Sequence, residues 1–140
     1  MKLLLDTHIL LWSAINKLPE MAQEYILDET NQLYFSPASI WEIVIKKSLN
    51  RTDFRVDPYA LYNGLLDSGY NEIAITTRHT LTVSTLPDIH KDPFDRIMLA
   101  QSISEGITLL TSDAMLSNYP APIILVTNSL NVKHPKNNTE

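Results

Sequence analysis

Short apolar runs alternate along the chain with longer segments in which apolar residues recur at helical spacing. The short runs predict strands over 3–5, 33–35, 72–75, 107–111 and 123–126. The longer segments predict helices over 8–16, 19–27, 37–50, 58–68, 78–86 and 93–105, the fifth of them capped by Thr77. Strands that are short and almost continuously apolar are typical of a parallel sheet covered on both faces. The pattern therefore predicts a three-layer α/β/α sandwich with a central, mainly parallel sheet.

The length and composition of the chain narrow this prediction. The 140 residues predict a single domain over 1–130, followed by a polar, disordered tail over 131–140. The absence of cysteine excludes a disulfide framework and a thiolate zinc site. Only three leucines separate Lys2 from Asp6, and no apolar run approaches the roughly 20 residues of a membrane span. We therefore expect a cytoplasmic protein without a secretory signal or a membrane anchor.

Four acidic residues lie at or near the ends of the predicted elements. Asp6 directly follows the first strand, where an ionised carboxylate would be costly to bury without a compensating partner. Asp113 follows the fourth strand, and the carboxyl ends of parallel strands meet along one edge of a sheet. Asp95 lies in the first turn of a helix that Asp92 caps, and Glu42 lies in the third predicted helix. We expect these carboxylates to converge.

Some of these acids also have an ordinary structural explanation. An acid at a helix N-terminus, such as Asp92 or Asp95, is worth ~1 kcal/mol as a cap. Glu42 could form a surface ion pair with Lys46 at i, i+4, worth about 0.3–0.5 kcal/mol. Carboxylates that converge repel one another, however, and a divalent cation is the usual relief. Because the four histidines are scattered and cysteine is absent, the ligands would be oxygens, which favour Mg²⁺ or Mn²⁺.

Four blocks of the sequence carry a resemblance to a known family. In chain order they are LLLDTHILLW, SPASIWEIVIKK, LPDIHKDPFDRIMLAQS and LLTSD. Together they resemble the PIN-domain ribonucleases, and in particular the VapC-like toxins of bacterial toxin–antitoxin pairs, over about residues 2–127. The resemblance implies an α/β/α fold around a parallel sheet. It also implies that the catalytic, metal-binding acids are Asp6, Glu42, Asp95 and Asp113, that Thr111 is a supporting hydroxyl, and that Asp92 and Arg96 have supporting roles.

The resulting hypothesis is an endoribonuclease that depends on Mg²⁺ or Mn²⁺. Asp6, Glu42 and Asp95 would hold the principal ion, and Asp113 would complete the site directly or through water. One or two ions would assist the in-line attack of water on a phosphodiester, so no side chain need act as the nucleophile. The products would carry 5′-phosphate and 3′-hydroxyl ends.

Basic residues supply candidate contacts to the RNA backbone, because phosphate contacts give affinity without reading sequence. The candidates are Lys46, Lys47, Arg51 and Arg96. The basic stretch KKSLNRTDFR is equally explained as a solvated helix end, since basic residues in a last turn complement the helix dipole. The net charge of −5 argues against a generally basic surface.

The resemblance also implies partners. It implies an RNA substrate and a small cognate antitoxin that docks a peptide segment into the acidic cleft. The protein would then form a homodimer or a toxin–antitoxin hetero-oligomer. Trp12, Trp41 and Tyr34 are candidate interface aromatics, but their positions in helices and strands favour the core.

Other classes of function compete with this hypothesis. A phosphatase of the haloacid dehalogenase type wants a second aspartate two residues after the first, where this chain has His8. Gly64, Gly69 and Gly106 cannot form GxGxxG, and a Walker A loop is absent from the sequence. A protein-binding module without turnover is the alternative from another class, and the intact acids speak against it. A housekeeping RNA-processing nuclease without a toxin role would also keep the acids.

Overall fold

The computed structural model describes residues 1–127, and the predicted tail over 131–140 lies outside them. Five strands form one sheet: β1 (Lys2–Leu5), β2 (Gln32–Phe35), β3 (Asn71–Glu72), β4 (Thr108–Thr111) and β5 (Ile123–Leu125). Their spatial order is β3-β2-β1-β4-β5, and every neighbouring pair is parallel. The predicted parallel sheet is confirmed.

The strands are joined mainly by helices that begin at capping residues. The helices are α1 (Thr7–Ala14), α2 (Glu20–Leu27), α3 (Pro37–Ser48), α4 (Pro58–Asp67), α5 (Thr77–Val83) and α6 (Pro93–Glu105), and a short 3-10 helix spans Ala114–Asn118. Ser36, Asp57 and Asp92 cap α3, α4 and α6 with their side chains, and proline follows each of them. No helix within residues 1–127 is long and apolar enough to cross a membrane.

Two apolar cores lie on opposite faces of the sheet. Leu3 and Leu5 belong to one core, which also contains Ile9 from α1. Leu4 belongs to the other, together with Met98 of α6. The alternation follows from the two-residue period of side chains along a strand. Since both faces are covered by helices, the three-layer α/β/α architecture is confirmed.

The third strand and the fifth helix differ from their predicted bounds. The run 72–75 predicted a strand, but β3 ends at Glu72, because β2 ends at Phe35 and Ser36 already caps a helix. The cap of α5 is Thr76 rather than Thr77. Its hydroxyl accepts the N–H of His79, whose ring Nδ1 in turn accepts the N–H of Thr76 at 3.0 Å. This reciprocal pair sets the start of α5, which ends at Val83, before 86.

The strand order changes direction beside β1. From β1 the chain adds β2 and then β3 on one side, and it then crosses to place β4 and β5 on the other. Ligands bind at such switch points, outside the carboxyl ends of the strands. The N–H of Asp6 donates to the carbonyl of Leu110 at 3.0 Å, which ties the end of β1 to β4. The candidate site lies at this junction.

Candidate metal centre at the carboxyl edge of the sheet

Asp6 follows the carboxyl end of β1 and is only 5% exposed to solvent. One carboxylate oxygen, Oδ1, accepts the N–H of Thr7 at 2.6 Å, and Oδ2 accepts the hydroxyl of Thr111 at 2.6 Å. Burial raises the pKa of Asp6, although both hydrogen bonds oppose the rise. The two threonines therefore orient the carboxylate but leave its charge uncompensated. Thr111 lies where a supporting hydroxyl was predicted.

Asp92 and Asp95 have different roles at the start of α6. Asp92 is the N-cap, and its Oδ1 accepts the N–H groups of Phe94 and Asp95 at 2.8 and 3.2 Å. Because Asp92 already satisfies these N–H groups, the carboxylate of Asp95 is not needed as a cap. The side chain of Asp95 is 13% exposed and turns toward the end of the sheet, where it approaches Asp113 and His90.

The surroundings of Asp95 are strongly acidic. Burial, together with the charges of Asp6, Asp92, Glu42 and Asp113, raises the pKa of Asp95 to about 8. A carboxyl group with this pKa holds its proton at neutral pH. The charges of the other three predicted acids, Asp6, Glu42 and Asp113, thus all act on Asp95, although the four acids come from four separate segments of the chain.

The sequence left open whether Glu42 is a metal ligand or an ion-pair partner of Lys46, and the structure has features of both. It is 4% exposed, so it is not the surface acid of an exposed ion pair. Its Oε2 nevertheless accepts a hydrogen bond from Lys46 Nζ at 2.6 Å, at i, i+4 spacing. Within residues 1–127, its other oxygen, Oε1, is buried and has no hydrogen-bond partner. An unpaired buried acceptor costs about 1–3 kcal/mol, and it is also a free ligand atom.

Asp113 follows β4 and caps the 3-10 helix. Its Oδ1 accepts the N–H of Met115 at 2.9 Å, and its own N–H donates to the hydroxyl of Thr111 at 3.0 Å. The other oxygen, Oδ2, lies 3.5 Å from Nε2 of His90, and the same nitrogen lies 3.4 Å from Oδ2 of Asp95. These three groups lie within 4.8 Å of one another, as ligands of one ion do.

His90 is the member of the site that the sequence analysis missed. The sequence analysis treated the four histidines as scattered, whereas the structure places His90 beside Asp95 and Asp113. Its Nδ1 accepts the N–H of Asp92 at 3.2 Å, which places the hydrogen of the neutral ring on Nε2. His90 therefore faces Asp95 and Asp113 as a hydrogen-bond donor. The available signal was its position in the block LPDIHKDPFD, five residues before Asp95.

Arg96 supports the segment that carries His90. Its guanidinium donates to the carbonyls of Val83, Pro87 and His90 and to the hydroxyl of Tyr119, at 3.0–3.3 Å. The Tyr119 hydroxyl also accepts the N–H of His90 at 2.7 Å and donates to its carbonyl at 3.1 Å. These contacts occupy the guanidinium, and they suit the predicted supporting role better than contact with RNA.

The remaining basic candidates separate into two places. Lys46 lies inside the site, on Glu42, and its ammonium group stands 4.9 Å from the centre of the Phe54 ring. Lys47 and Arg51 lie outside the acidic site and line a neighbouring cavity. Lys46 therefore contacts the acidic site directly, whereas Lys47 and Arg51 belong to the cavity next to it.

The aromatic candidates also separate. Trp12 and Tyr34 are half-buried and pack against the two cores, as predicted. Trp41 is 61% exposed, so its prediction as a core residue is wrong. Trp41 is exposed because successive residues of α3 face different sides of the helix, and the buried side is occupied by Glu42 and Ile43. Its ring packs edge to face on the ring of Phe94, with 5.3 Å between the ring centres. Trp41 lines an apolar groove of about 770 Å³ between α3 and α4.

The donor set fits a divalent cation. Four carboxylates supply only hard oxygen atoms, one of which is the unpaired Oε1 of Glu42. Burial and the charges of the neighbouring acids raise the pKa of Asp95, and a positive ion would stabilise the ionised carboxylates against both effects. Asp6, Glu42, Asp95 and Asp113 are the residues that could hold it.

Comparisons with known proteins agree with this fold. A chain in the crystal structure of VapBC2 from Rickettsia felis, bound to a DNA fragment from their promoter, is 21% identical, with a TM-score of 0.67 over 91% of this chain and 98% of that chain. A chain in DNA-bound VapBC from Salmonella typhimurium is 16% identical (TM-score 0.65; 89% and 97% covered). A chain of VapBC-1 from nontypeable Haemophilus influenzae is 17% identical (TM-score 0.61; 89% and 98% covered).

Sequence comparison gives the family itself. No curated protein sequence matches the chain significantly. The family model of the PIN domain matches residues 3–122, which include all four acids of the site. Because this match extends over most of the chain, the protein belongs to the PIN domain family.

Proposed function

We propose that this protein is a divalent-metal-dependent endoribonuclease of the VapC-like toxin type, which hydrolyses RNA and is inhibited by a cognate antitoxin. The observation that carries the proposal is the convergence of four carboxylates at the switch point of the sheet, where burial and the charges of the other acids raise the pKa of Asp95 to about 8. Carboxylates in such a cluster are tolerated when they bind a cation, and phosphodiester hydrolysis uses this arrangement.

The residues of the chain would have distinct tasks in this reaction. Asp6, held by Thr7 and Thr111, presents a carboxylate of fixed orientation, and Glu42 offers its free Oε1. A bound Mg²⁺ or Mn²⁺ would lower the pKa of water and neutralise charge on the scissile phosphate. Lys46 holds the other oxygen of Glu42 and brings one positive charge to the edge of the site.

His90 would act as a positioning residue in the same site. Its Nε2–H group faces the carboxylates of Asp95 and Asp113, and the N–H of Asp92 holds the ring in this tautomer. We infer that this donor keeps Asp113, which is half-exposed, turned toward Asp95.

A protein partner is supported by the exposed apolar groove that Trp41 lines. The groove between α3 and α4 is lined mainly by apolar and aromatic side chains, among them the exposed Trp41, Val44 and Tyr59. Exposed apolar patches of this kind mark interaction sites. The similar folds come from VapBC structures, which supports an antitoxin as the partner. The same likeness supports a toxin–antitoxin hetero-oligomer, and a homodimer is a further part of this proposal.

Cleavage of RNA by the purified protein tests the proposed activity. We expect cleavage with Mg²⁺ or Mn²⁺, none with EDTA, and products with 5′-phosphate and 3′-hydroxyl ends. Asp6→Asn and Asp95→Asn should each lower the rate at least about 100-fold, since the loss of about 3 kcal/mol of transition-state stabilisation has this effect. The matched control is Asp67→Asn, an exposed acid at the end of α4, which should cleave like the wild type.

Two results would contradict the proposal. Equal cleavage by the wild type and both site variants would remove the acids from the reaction, and cleavage that persists in EDTA would remove the metal. The toxin role is tested separately, by co-expression with a small protein encoded beside this one. Loss of cleavage in the co-purified complex is expected, and full activity of the complex would leave a housekeeping nuclease instead.

A further inference from the structure

A second charged cavity lies beside the acidic site. Its volume is about 250 Å³, and it lies where α3 ends and the next loop begins. The residues that line it are Lys47, Asn50, Arg51, Phe54 and Arg55. Three of these five side chains are cations, in a protein whose net charge is −5.

None of the three cations forms a salt bridge with a described residue, although the hydrogen bond to His8 and, to a smaller extent, the charge of Arg51 help to lower the pKa of Asp53. None of the ion pairs within residues 1–127 includes Lys47, Arg51 or Arg55. The nearby acid Asp53 lies 3.3 Å from Nε2 of His8 instead. Like charges that share a small cavity repel one another, so an anion bound there would be stabilised by all three.

The wall of this cavity is held in place by the core. Phe54 is buried and packs edge to face on the ring of His8, with 5.4 Å between ring centres. The N–H of Phe54 donates to the carbonyl of Arg51 at 3.1 Å, and the N–H of Arg51 donates to the carbonyl of Lys46 at 3.2 Å. A ligand would therefore meet a loop that is already ordered, which lowers the entropy cost of binding.

The cavity adjoins the acidic site through a single side chain. The ammonium group of Lys46 contacts Glu42 at 2.6 Å on one side and the ring of Phe54 at 4.9 Å on the other. His8, which packs on Phe54, follows Asp6 by two residues. One extended polyanion could therefore reach both places at once.

We propose that the cavity of Lys47, Arg51 and Arg55 binds a backbone phosphate of the RNA, next to the phosphodiester at the acidic site. This inference rests on the proposed ribonuclease function. Guanidinium groups bind phosphate through paired hydrogen bonds, and Asn50 adds an amide donor. Phosphate binding of this kind positions the strand without reading its bases, so the cavity sets affinity and register rather than sequence preference.

Binding of a fluorescent single-stranded RNA, measured by anisotropy in EDTA, separates this proposal from the nuclease activity. We expect Arg51→Gln with Arg55→Gln to weaken binding roughly tenfold at low salt, because the charge-assisted hydrogen bonds to phosphate are removed. The slope of log K against log salt should become shallower by about 0.7 for each phosphate that the double variant no longer neutralises. Lys17→Gln and Arg78→Gln, which remove exposed cations elsewhere, should bind like the wild type.

Each outcome of this experiment has one meaning. Wild-type affinity and salt slope in the double variant would overturn the proposal, even if the wild type cleaves RNA. A double variant that binds RNA normally but is no longer inhibited by the antitoxin would also overturn it, because the cavity would then belong to the protein partner. Weakened binding in a protein that cleaves no RNA would support the cavity and reject the nuclease. In an active enzyme, the double variant should raise KM with kcat nearly unchanged.

Discussion

The buried His79 and the buried acids of the candidate metal centre are stabilised in opposite ways. His79, on α5, is 1% exposed, yet both of its ring nitrogens are used. Nδ1 accepts the N–H of Thr76 at 3.0 Å, and Nε2 lies 2.8 Å from a carboxylate oxygen of Glu105. The pair is complete within the protein and links α5 to α6.

The acidic site lacks this internal solution. Asp6, Glu42 and Asp95 bring charges of the same sign together, and one buried oxygen of Glu42 has no partner within residues 1–127. The comparison teaches that burial of an ionisable side chain does not by itself identify a functional site. A polar cluster that its own neighbours leave unsatisfied points to a ligand from outside, whereas a complete pair points to a structural role.

Breaking the complete pair should cause the largest loss of stability. His79→Ala removes a buried ring and its two hydrogen bonds, so we expect the free energy of unfolding to fall by about 3 kcal/mol. RNA cleavage, measured well below the lowered melting temperature, should be unchanged. Urea unfolding followed by circular dichroism measures the loss. A variant as stable as the wild type would show that the pair is dispensable.

Removing one carboxyl group from the acidic site should increase the stability of the metal-free protein. At pH 7 the folded chain must keep a proton on Asp95 that the unfolded chain has released, and Asp95→Asn removes this cost. The metal-free variant should therefore be more stable at pH 7, by ~3 kcal/mol. Urea unfolding in EDTA measures the gain, with Asp67→Asn as the control for an exposed acid. A less stable variant would mean that the site is satisfied without a cation.

Removal of the histidine donor should have a smaller effect on the same site. His90→Ala should weaken Mn²⁺ binding, measured by calorimetry, by about tenfold, as is typical of groups that orient metal ligands. His90→Gln retains a donor and should recover part of the affinity. Pulsed electron paramagnetic resonance of the Mn²⁺ complex should show no nitrogen bound to the metal. A nitrogen coupling that disappears in His90→Gln would instead make His90 a ligand.

The dependence of stability on pH sharpens the comparison further. The folded chain holds the proton of Asp95 up to about pH 8, against an ordinary pKa of 3.8, so between these values it binds a proton that the unfolded chain has released. Stability of the metal-free protein should therefore fall as pH rises from about 4 to 8, by about 1 kcal/mol per pH unit relative to Asp95→Asn. Melting curves in EDTA at several pH values test the slope, and parallel curves for the two proteins would contradict it.

Local chemistry predicted much of this fold. Asp92 caps its helix as expected, because a cap is formed by a residue and its immediate neighbours, and Ser36 and Asp57 cap theirs in the same local way. The period of side chains along a strand likewise placed Leu3 and Leu4 in cores on opposite faces. The end of β3 could not be read in the same way, since it depends on where its neighbour β2 stops pairing.

In the candidate site, too, some features follow from the local sequence and others from contacts in space. Acids that follow strands of a parallel sheet must share an edge, so the positions of Asp6 and Asp113 in the chain already placed them on the same side of the sheet. The exposure of Trp41 and the place of His90 depended on packing between segments far apart in the chain, because burial and hydrogen bonding are set by neighbours in space. Tyr119 and Arg96 hold His90 in place, and no local pattern in the chain connects these three residues.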